Sequence, residues 1–596
     1  MSEIRINFLT LKNYRSFGEE QKFTFPNHDY KKPIAIVGYN NSGKTNLMNC
    51  ILYGVGNKFV QANTFELNDL HNLDYNNNIK IKISLVGSEF EHEYTDKQGN
   101  KQNTNKSITG LYEIFTELVD SELKSGIQPS MFGMNKHYNI FYINFHNIKE
   151  EISTRKTSWG NLTSFLAKHI KGIVDTDTSM AKKQEIYEQE VKTATNKVLE
   201  NSLLSAFIDK IKANYSTNLR NNSCEVVFGL PDYEDIFLQM IFKVGLNGER
   251  ENLIPIEHFG DGYISMFVMA VIQAIAESNT EDKCLFLFEE PESFLHENHQ
   301  EYFYKTVLCN LSERGHQVIY TTHSDRMIDI FDTKSIIRIE FDEQIKQTVI
   351  KYNDVEEFSP TMPTNSNGVQ IISYTNFNSY IKSVEPNLNK ILFSRKVVLM
   401  EGPNDILAYK IAIEKEVERA KGNKKYAETY LSFLNIAFVV HHGKATAYLL
   451  IELCKHFGLD YFVINDWDFE TDFISELDNF QDENTLKQDS LYLKDGATDR
   501  SSNSKGMITT NWKLLKSAGV DKIHFNIPKL ERVLGYQSDD KDSLGILNAV
   551  QSLADYPETF FPVELREYLE FNNLTNQVES ILKAVDNQVE TDELPF

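Results

Sequence analysis

The sequence predicts an α/β protein built from two successive parallel-sheet units, and three observations carry that expectation. An apolar strand at 34–37 runs into a glycine-rich turn and then a helix. A second apolar run at 284–288 ends in adjacent carboxylates, and another strand follows at 317–321. From about 391 the alternation of buried strand and helix begins again, with acids once more at the strand ends. Short, continuously apolar strands of this kind are covered on both faces, as in a parallel sheet.

Bulk properties narrow the class. A chain of 596 residues exceeds what one hydrophobic core supports, so two or more domains are expected. The 41% hydrophobic and 24% charged fractions are those of an ordinary globular protein. No window reaches the roughly 18 apolar residues of a membrane-spanning helix. The first residues carry no apolar h-region or cleavage site, so a cytoplasmic location is expected. Five scattered cysteines without a CxxC pair exclude a zinc ribbon and fit a reducing compartment. A formal net charge of -24 argues against an extended nonspecific nucleic-acid surface, while a local basic channel and metal-binding carboxylates fit within an acidic total.

The elements follow in order. Residues 4–17 begin with alternating apolar positions, and 79–86 alternate as a half-buried strand. The polar stretch 94–107 reads as a hairpin tip or loop. From about 150 to 215 the pattern is helical and charge-rich; strand signals return at 224–229 and 236–244, and a buried helix is expected over 263–277. Residues 342–390 read as connecting structure, rich in Asn, Ser, Thr and Pro. Strands at 396–400, 438–440 and 461–465 then alternate with helices, and the tail from 536 is acidic and helical in pattern.

Gly38-Tyr39-Asn40-Asn41-Ser42-Gly43-Lys44-Thr45 satisfies G-x-x-x-x-G-K-[ST] between a strand and a helix. There the loop N–H groups can wrap phosphates, Lys44 can reach the β/γ oxygens, and Thr45 can ligate Mg²⁺. The run at 284–288 delivers Glu289 to hold Mg²⁺ and Glu290 to polarise an attacking water. Glutamate stands at 289 where such a strand usually ends in Asp, and its longer side chain alters the metal distance. His323, in Tyr320-Thr321-Thr322-His323-Ser324, follows the next strand, where it can touch a γ-phosphate.

With Leu11-Lys12-Asn13-Tyr14-Arg15-Ser16-Phe17 at the start, these segments resemble the ABC-type ATPase heads of the SMC and RecF group. That resemblance implies ATP held between two heads, and therefore a homodimer. It places His258-Phe259-Gly260-Asp261-Gly262 where the signature motif precedes its helix, although the Ser-Gly-Gly form is absent.

A second constellation lies farther on. Glu401 ends the strand at 396–400, and Asp466 and Asp468 follow the strand at 461–465. Parallel strands deliver side chains to one C-terminal edge, so these acids can converge. With Asp405 and Glu531 they form a hard oxygen donor set suited to Mg²⁺ or Mn²⁺. Asp405 has the alternative of capping the following helix. His441-His442 reads as a strand-end loop, and Lys421, Lys424 and Lys425 as a solvated face or the edge of a DNA channel.

Glu401-Gly402 and Asp466-Trp467-Asp468 resemble the TOPRIM fold. An ABC-type head joined to TOPRIM in one chain is similar to the OLD (overcoming lysogenization defect) family, which includes the Gabija nuclease and OLD-type retron effectors. The resemblance runs through Glu289-Glu290-Pro291-Glu292, Leu295-His296, the Thr-Thr-His-Ser turn and Asp-Trp-Asp. It implies ATPase segments at 1–150 and 221–345, a helical dimerisation insert at 151–220, a connecting segment at 346–390, TOPRIM at 391–535 and a C-terminal helical segment at 536–596. It implies metal-dependent DNA cleavage in bacterial antiphage defence, with two metals held by the five acids and a lysine, Lys541 or Lys529, stabilising charge on the phosphate. The partners implied are DNA, a second copy in a dimer or tetramer, and a separately encoded helicase or retron reverse transcriptase, with no membrane. The competing reading is a noncatalytic RecF-like clamp; a primase lacks its zinc module here, and a type II topoisomerase its breakage domain.

Overall fold

The computed structural model describes residues 3–56, 58, 60–95, 101–119, 122–129, 138–151, 178–200, 254–278, 282–362, 370–537 and 542–574, with isolated positions between 151 and 254. The chain divides into two compact units, Met1–Ala35 with Thr45–Thr322, and Ile36–Lys44 with His323–Phe596. No helix among the described residues is long and apolar enough to cross a membrane.

The first strands are β1 (Ile4–Lys12), β2 (Gln21–Thr24) and β3 (Ile34–Val37), and α1 (Lys44–Gly54) follows the glycine loop. β1 buries Ile4 and Ile6, then Leu9 and Leu11. The change of phase coincides with a bulge between Ile6 and Phe8, where an extra residue re-aims the side chains that follow. After β4 (Lys80–Gly87), a hairpin of β5 (Phe90–Thr95) and β6 (Lys101–Lys106) occupies the stretch read as a hairpin tip. β7 (Gly110–Val119) and β8 (Glu122–Gln128) complete an antiparallel sheet in the order β2-β1-β4-β7-β8.

β9 (Ile140–Asn144) leads toward the helical region, of which α2 (Thr178–Leu199) is described. The expected strand at 224–229, and that at 236–244 apart from Lys243–Val244, lie outside the described residues. α3 (Asp261–Ser278) is the buried helix expected over 263–277, and its first residue is an acid that complements the helix dipole. β10 (Leu285–Glu289) lies parallel between β9 and β11 (Gln317–Thr321), in a register that aligns Asn144, Glu289 and Thr321 at one edge.

In the second unit, β12 (Ile336–Asp342) and β13 (Gln347–Tyr352) form an antiparallel hairpin. Within the segment read as connecting structure, Gln347–Tyr352 is a strand paired with β12 across a polar turn. The buried Arg338 of β12 donates to the carbonyls of Leu392 and Ser394 at 3.2 and 3.3 Å, which holds the hairpin against the start of the next sheet. Within the rest of the expected connecting segment, α4 (Tyr374–Val384) starts at the N-cap Ser373.

The second sheet is parallel. β14 (Lys396–Met400) leads to α5 (Pro403–Lys421), which has proline in its first turn and the left-handed Gly422 at its end. α6 (Lys424–Phe433), β15 (Ile436–Val440), α7 (Lys444–His456) and β16 (Asp460–Asp466) follow. α8 (Ser502–Ala518), β17 (Ile523–Asn526) and the single turn α9 (Leu530–Val533) complete the layer, with strand order β15-β14-β16-β17. Val398, Met400, Phe462 and Ile464 point into a core with α5 and α6.

α10 (Ser543–Ser552), α11 (Val563–Tyr568) and the residues flanking α11 bury Ile546, Val550, Phe560, Phe561, Leu565 and Leu569 in that same core. The described part of the acidic tail is therefore integral to the sheet's packing.

Phe560 stacks on Tyr409 of α5 at 4.4 Å, and the Tyr409 hydroxyl donates to the Phe560 carbonyl at 3.0 Å. Phe560→Ala is expected to cost about 3–5 kcal/mol of second-unit stability in urea unfolding. An unchanged midpoint would show that this segment is not part of the core.

Candidate functional site

The glycine loop begins where β3 ends. A side chain at Gly38 would collide with the Ile339 carbonyl and the Ser42 side chain, so only glycine fits. Asn41 and Gly43 take φ of 65° and 95°, turning the chain into α1. The Lys44 side chain is buried, and its ammonium donates to the carbonyls of Gly38 and Tyr39 at 3.0 and 3.2 Å, across the loop itself. Ser42 is fully buried and its carbonyl accepts from the Thr348 hydroxyl of β13 at 3.0 Å, while the Tyr39 hydroxyl donates to the Phe341 carbonyl of β12. Asn40 and Thr45 complete the loop as exposed residues.

At the edge of the β9–β10–β11 trio, Glu289 is nearly enclosed and its Oε2 accepts from the Tyr142 hydroxyl at 2.7 Å and Asn144 Nδ2 at 3.1 Å. Glu290 has a left-handed φ of 46°, unusual for a non-glycine residue. Its N–H donates to the Thr321 carbonyl at 3.1 Å, and its carboxylate meets His146 Nε2 at 2.7 Å. His323 lies two residues beyond the end of β11. The sequence reading did not single out Tyr142, Asn144 or His146; the signal available was an apolar strand ending abruptly in Asn-Phe-His.

The second sheet brings its acids to one edge. In the parallel register Met400 is opposite Ile464, so Glu401 comes beside Asn465 and Asp466. Glu401 Oε2 accepts from Asn465 Nδ2 at 2.9 Å and from the Asp466 N–H at 3.1 Å. Asp466 Oδ1 accepts from the Leu530 N–H at 2.9 Å, which docks the turn carrying Glu531. Asp405 takes the capping position: its Oδ2 accepts from the Gly402 N–H at 2.9 Å, while its buried Oδ1 has no partner. Asp468 sits at φ 68°, with its N–H donating to the Pro528 carbonyl at 2.8 Å.

Burial, with Glu401 next in weight, raises the Asp405 carboxyl to about 7. Burial followed by Asp405 and Glu401 raises Asp466 to about 8. The acids therefore feel one another, yet among the described residues no three acidic, His or Cys side chains form a closed ligand cage. Electrostatic influence reaches farther than ligation does. An all-oxygen donor set with suppressed ionisation and one orphaned carboxylate oxygen fits a divalent cation.

Lys541 lies outside the described residues, and Lys529 is the half-buried N-cap residue of α9. Lys444, which the sequence reading passed over as the end of a strand loop, contacts Asp468 directly. His441 is fully buried, its N–H continues the ladder to the Met400 carbonyl at 2.8 Å, and burial pushes its ring down to about 4.

Comparison with known proteins matches two family models: an AAA ATPase domain over residues 5–328, and an overcoming lysogenization defect protein-like TOPRIM domain over 392–468. An OLD nuclease from Thermus scotoductus is 23% identical over 530 residues, 85% of this chain and 88% of that protein. Endonuclease GajA from Bacillus cereus is 23% identical over 439 residues, 70% of this chain and 69% of that protein. The Old nuclease of Escherichia phage P2 is 26% identical over 254 residues, 41% of this chain and 39% of its own length.

The raised carboxyls have a consequence for metal-free protein. Both groups bind a proton more tightly folded than unfolded, where an aspartate titrates near 3.9. Their contribution to stability is thus full below about pH 4 and is lost as pH rises through about 7 to 8. In chelator, the urea midpoint should fall between about pH 5 and 8, and Asp405→Asn should flatten that fall. A variant with the same slope as wild type would remove Asp405 from the cluster.

Proposed function

The chain belongs to the OLD family, in which an AAA ATPase domain is followed by a TOPRIM domain, and from that premise we propose that it is an ATP-responsive, divalent-metal-dependent DNA endonuclease. The observation that carries this reading is the meeting of Glu401 with Asp466 across adjacent parallel strands, next to the protonation-prone Asp405. Relatives that align with most of the chain are named nucleases, which supports the same class of reaction.

In this reading Glu401, Asp405, Asp466, Asp468 and Glu531 hold the cations. Bound divalent ions would supply an activated water and neutralise the leaving oxygen of the phosphodiester. The protein's own contribution is to aim the acids. The Asn465 amide and the Asp466 N–H fix the Glu401 carboxylate, and the Leu530 N–H fixes Asp466. Lys44 and the loop around Ser42 have the chemistry to bind the phosphates of ATP, and Thr45 that of a Mg²⁺ ligand; Glu289 would hold Mg²⁺, and Glu290, beside His146, would orient a hydrolytic water. His323 reads the γ-phosphate, and two copies engage through the ATPase heads. A role in antiphage defence is what the resemblance to the OLD family implies, and the similarity to an endonuclease, GajA, supports the nuclease class.

The test is supercoiled plasmid with Mg²⁺ or Mn²⁺, with and without ATP. Glu401→Ala and Asp466→Ala should each lower cleavage at least about 100-fold, and Lys44→Ala should abolish the response to ATP while leaving the acids intact. If both acid variants cut like wild type, the endonuclease reading fails. ATP hydrolysis without cleavage by any preparation would favour a noncatalytic clamp.

A further inference from the structure

A cation sits beside the acidic edge that none of the roles above employs. Lys444 is the first residue of α7, and its side chain is only 11% exposed. Its ammonium meets Oδ2 of Asp468 and donates to Asn511 Oδ1 at 2.9 Å. Asn511 is fully buried on α8 and is anchored from its other end, its Nδ2 donating to the Trp467 carbonyl at 2.7 Å. The lysine is therefore held between a fixed neutral acceptor and one of the acids assigned to a metal.

Asp468 does not depend on this contact for its place. Its left-handed backbone is set by its own N–H bonded to Pro528 and by the preceding Trp467, whose N–H donates to the Asn526 carbonyl at 2.9 Å. An ammonium on a metal-ligating carboxylate competes with the metal for the same lone pairs. Once the cation takes Asp468, the ammonium is released on a four-carbon stem beside the site where a phosphate would bind. Resting on the endonuclease reading, we propose that Lys444 is a phosphate-contacting residue of the nuclease site, stored on Asp468 until a divalent cation takes that carboxylate.

The experiment compares Lys444→Gln, which keeps a donor for Asn511 without the charge, and Lys444→Arg with wild type. Mn²⁺ alone is titrated into metal-free protein by calorimetry, and plasmid cleavage is measured separately at saturating Mn²⁺. Lys444→Gln should bind its weaker Mn²⁺ about 2- to 5-fold more tightly, the scale of a partly exposed ion pair. It should nevertheless cut at least about 10-fold more slowly, with Lys444→Arg recovering part of the loss. A merely structural lysine would weaken metal binding and cleavage together, with a lowered melting temperature, and that result overturns the proposal. Unchanged Mn²⁺ affinity or unchanged cleavage overturns it as well. The titration contains no DNA, so wild type that binds Mn²⁺ yet never cuts would defeat the endonuclease reading while the competition at Asp468 is still judged on its own.

Discussion

Much of the second unit follows from one constraint: parallel strands end at a common edge, and this chain puts acids there. β14 and β16 are bonded in a register that leaves Glu401 no position except beside Asn465 and Asp466. The apolar runs that bury these strands on both faces also strip water from the acids at their ends. Burial is accordingly the first cause of the raised carboxyls of Asp405 and Asp466, and mutual repulsion the second. The surrounding groups answer that charge with N–H donors from Gly402, Asp466 and Leu530, and with the Lys444 ammonium. Those donors spread the charge without removing it, which is the condition a divalent cation relieves.

The same unit carries a continuous set of contacts from the glycine loop to this edge. The loop is bonded to both strands of the β12–β13 hairpin, through Tyr39 to Phe341 and Thr348 to Ser42. Tyr352, at the end of β13, bonds His456 at 2.8 Å and packs its ring on Phe457 at 4.5 Å, at the C-terminal end of α7. The opposite end of α7 starts with Lys444 on Asp468. A nucleotide acts through such a path only if it binds one arrangement of the path better than another.

The strand ends were legible in the sequence because they rest on local chemistry. A glycine-lysine loop between strand and helix, and acids after apolar runs, need no knowledge of the fold to be noticed. The groups that complete the sites were not legible. Tyr142 and Asn144 reach Glu289 from a strand more than a hundred residues away, through a register that exists only once β9 pairs with β10. Lys444 stands in a segment whose neighbouring histidines looked more informative than the lysine, and its partners Asp468 and Asn511 lie on separate elements. Phe560 and Phe561 belong to the core although the tail is acidic overall, because the sequence does not show that the tail folds back on α5, where Phe560 meets Tyr409.

The glutamate at 289 illustrates how such remote partners change the meaning of a motif. An aspartate at the end of β10 would hold its carboxylate one methylene closer to the backbone and be fixed by that short tether. Glutamate gains a rotatable bond and would lose definition if left alone. Here the hydroxyl of Tyr142 and the amide of Asn144 both bond the same oxygen, Oε2, so the longer side chain is held and one carboxylate oxygen is left out of those two bonds. The departure from aspartate is thus matched by two donors on the neighbouring strand. The position of the acid is a property of the paired strands β9 and β10 together, and not of the motif that first drew attention to it.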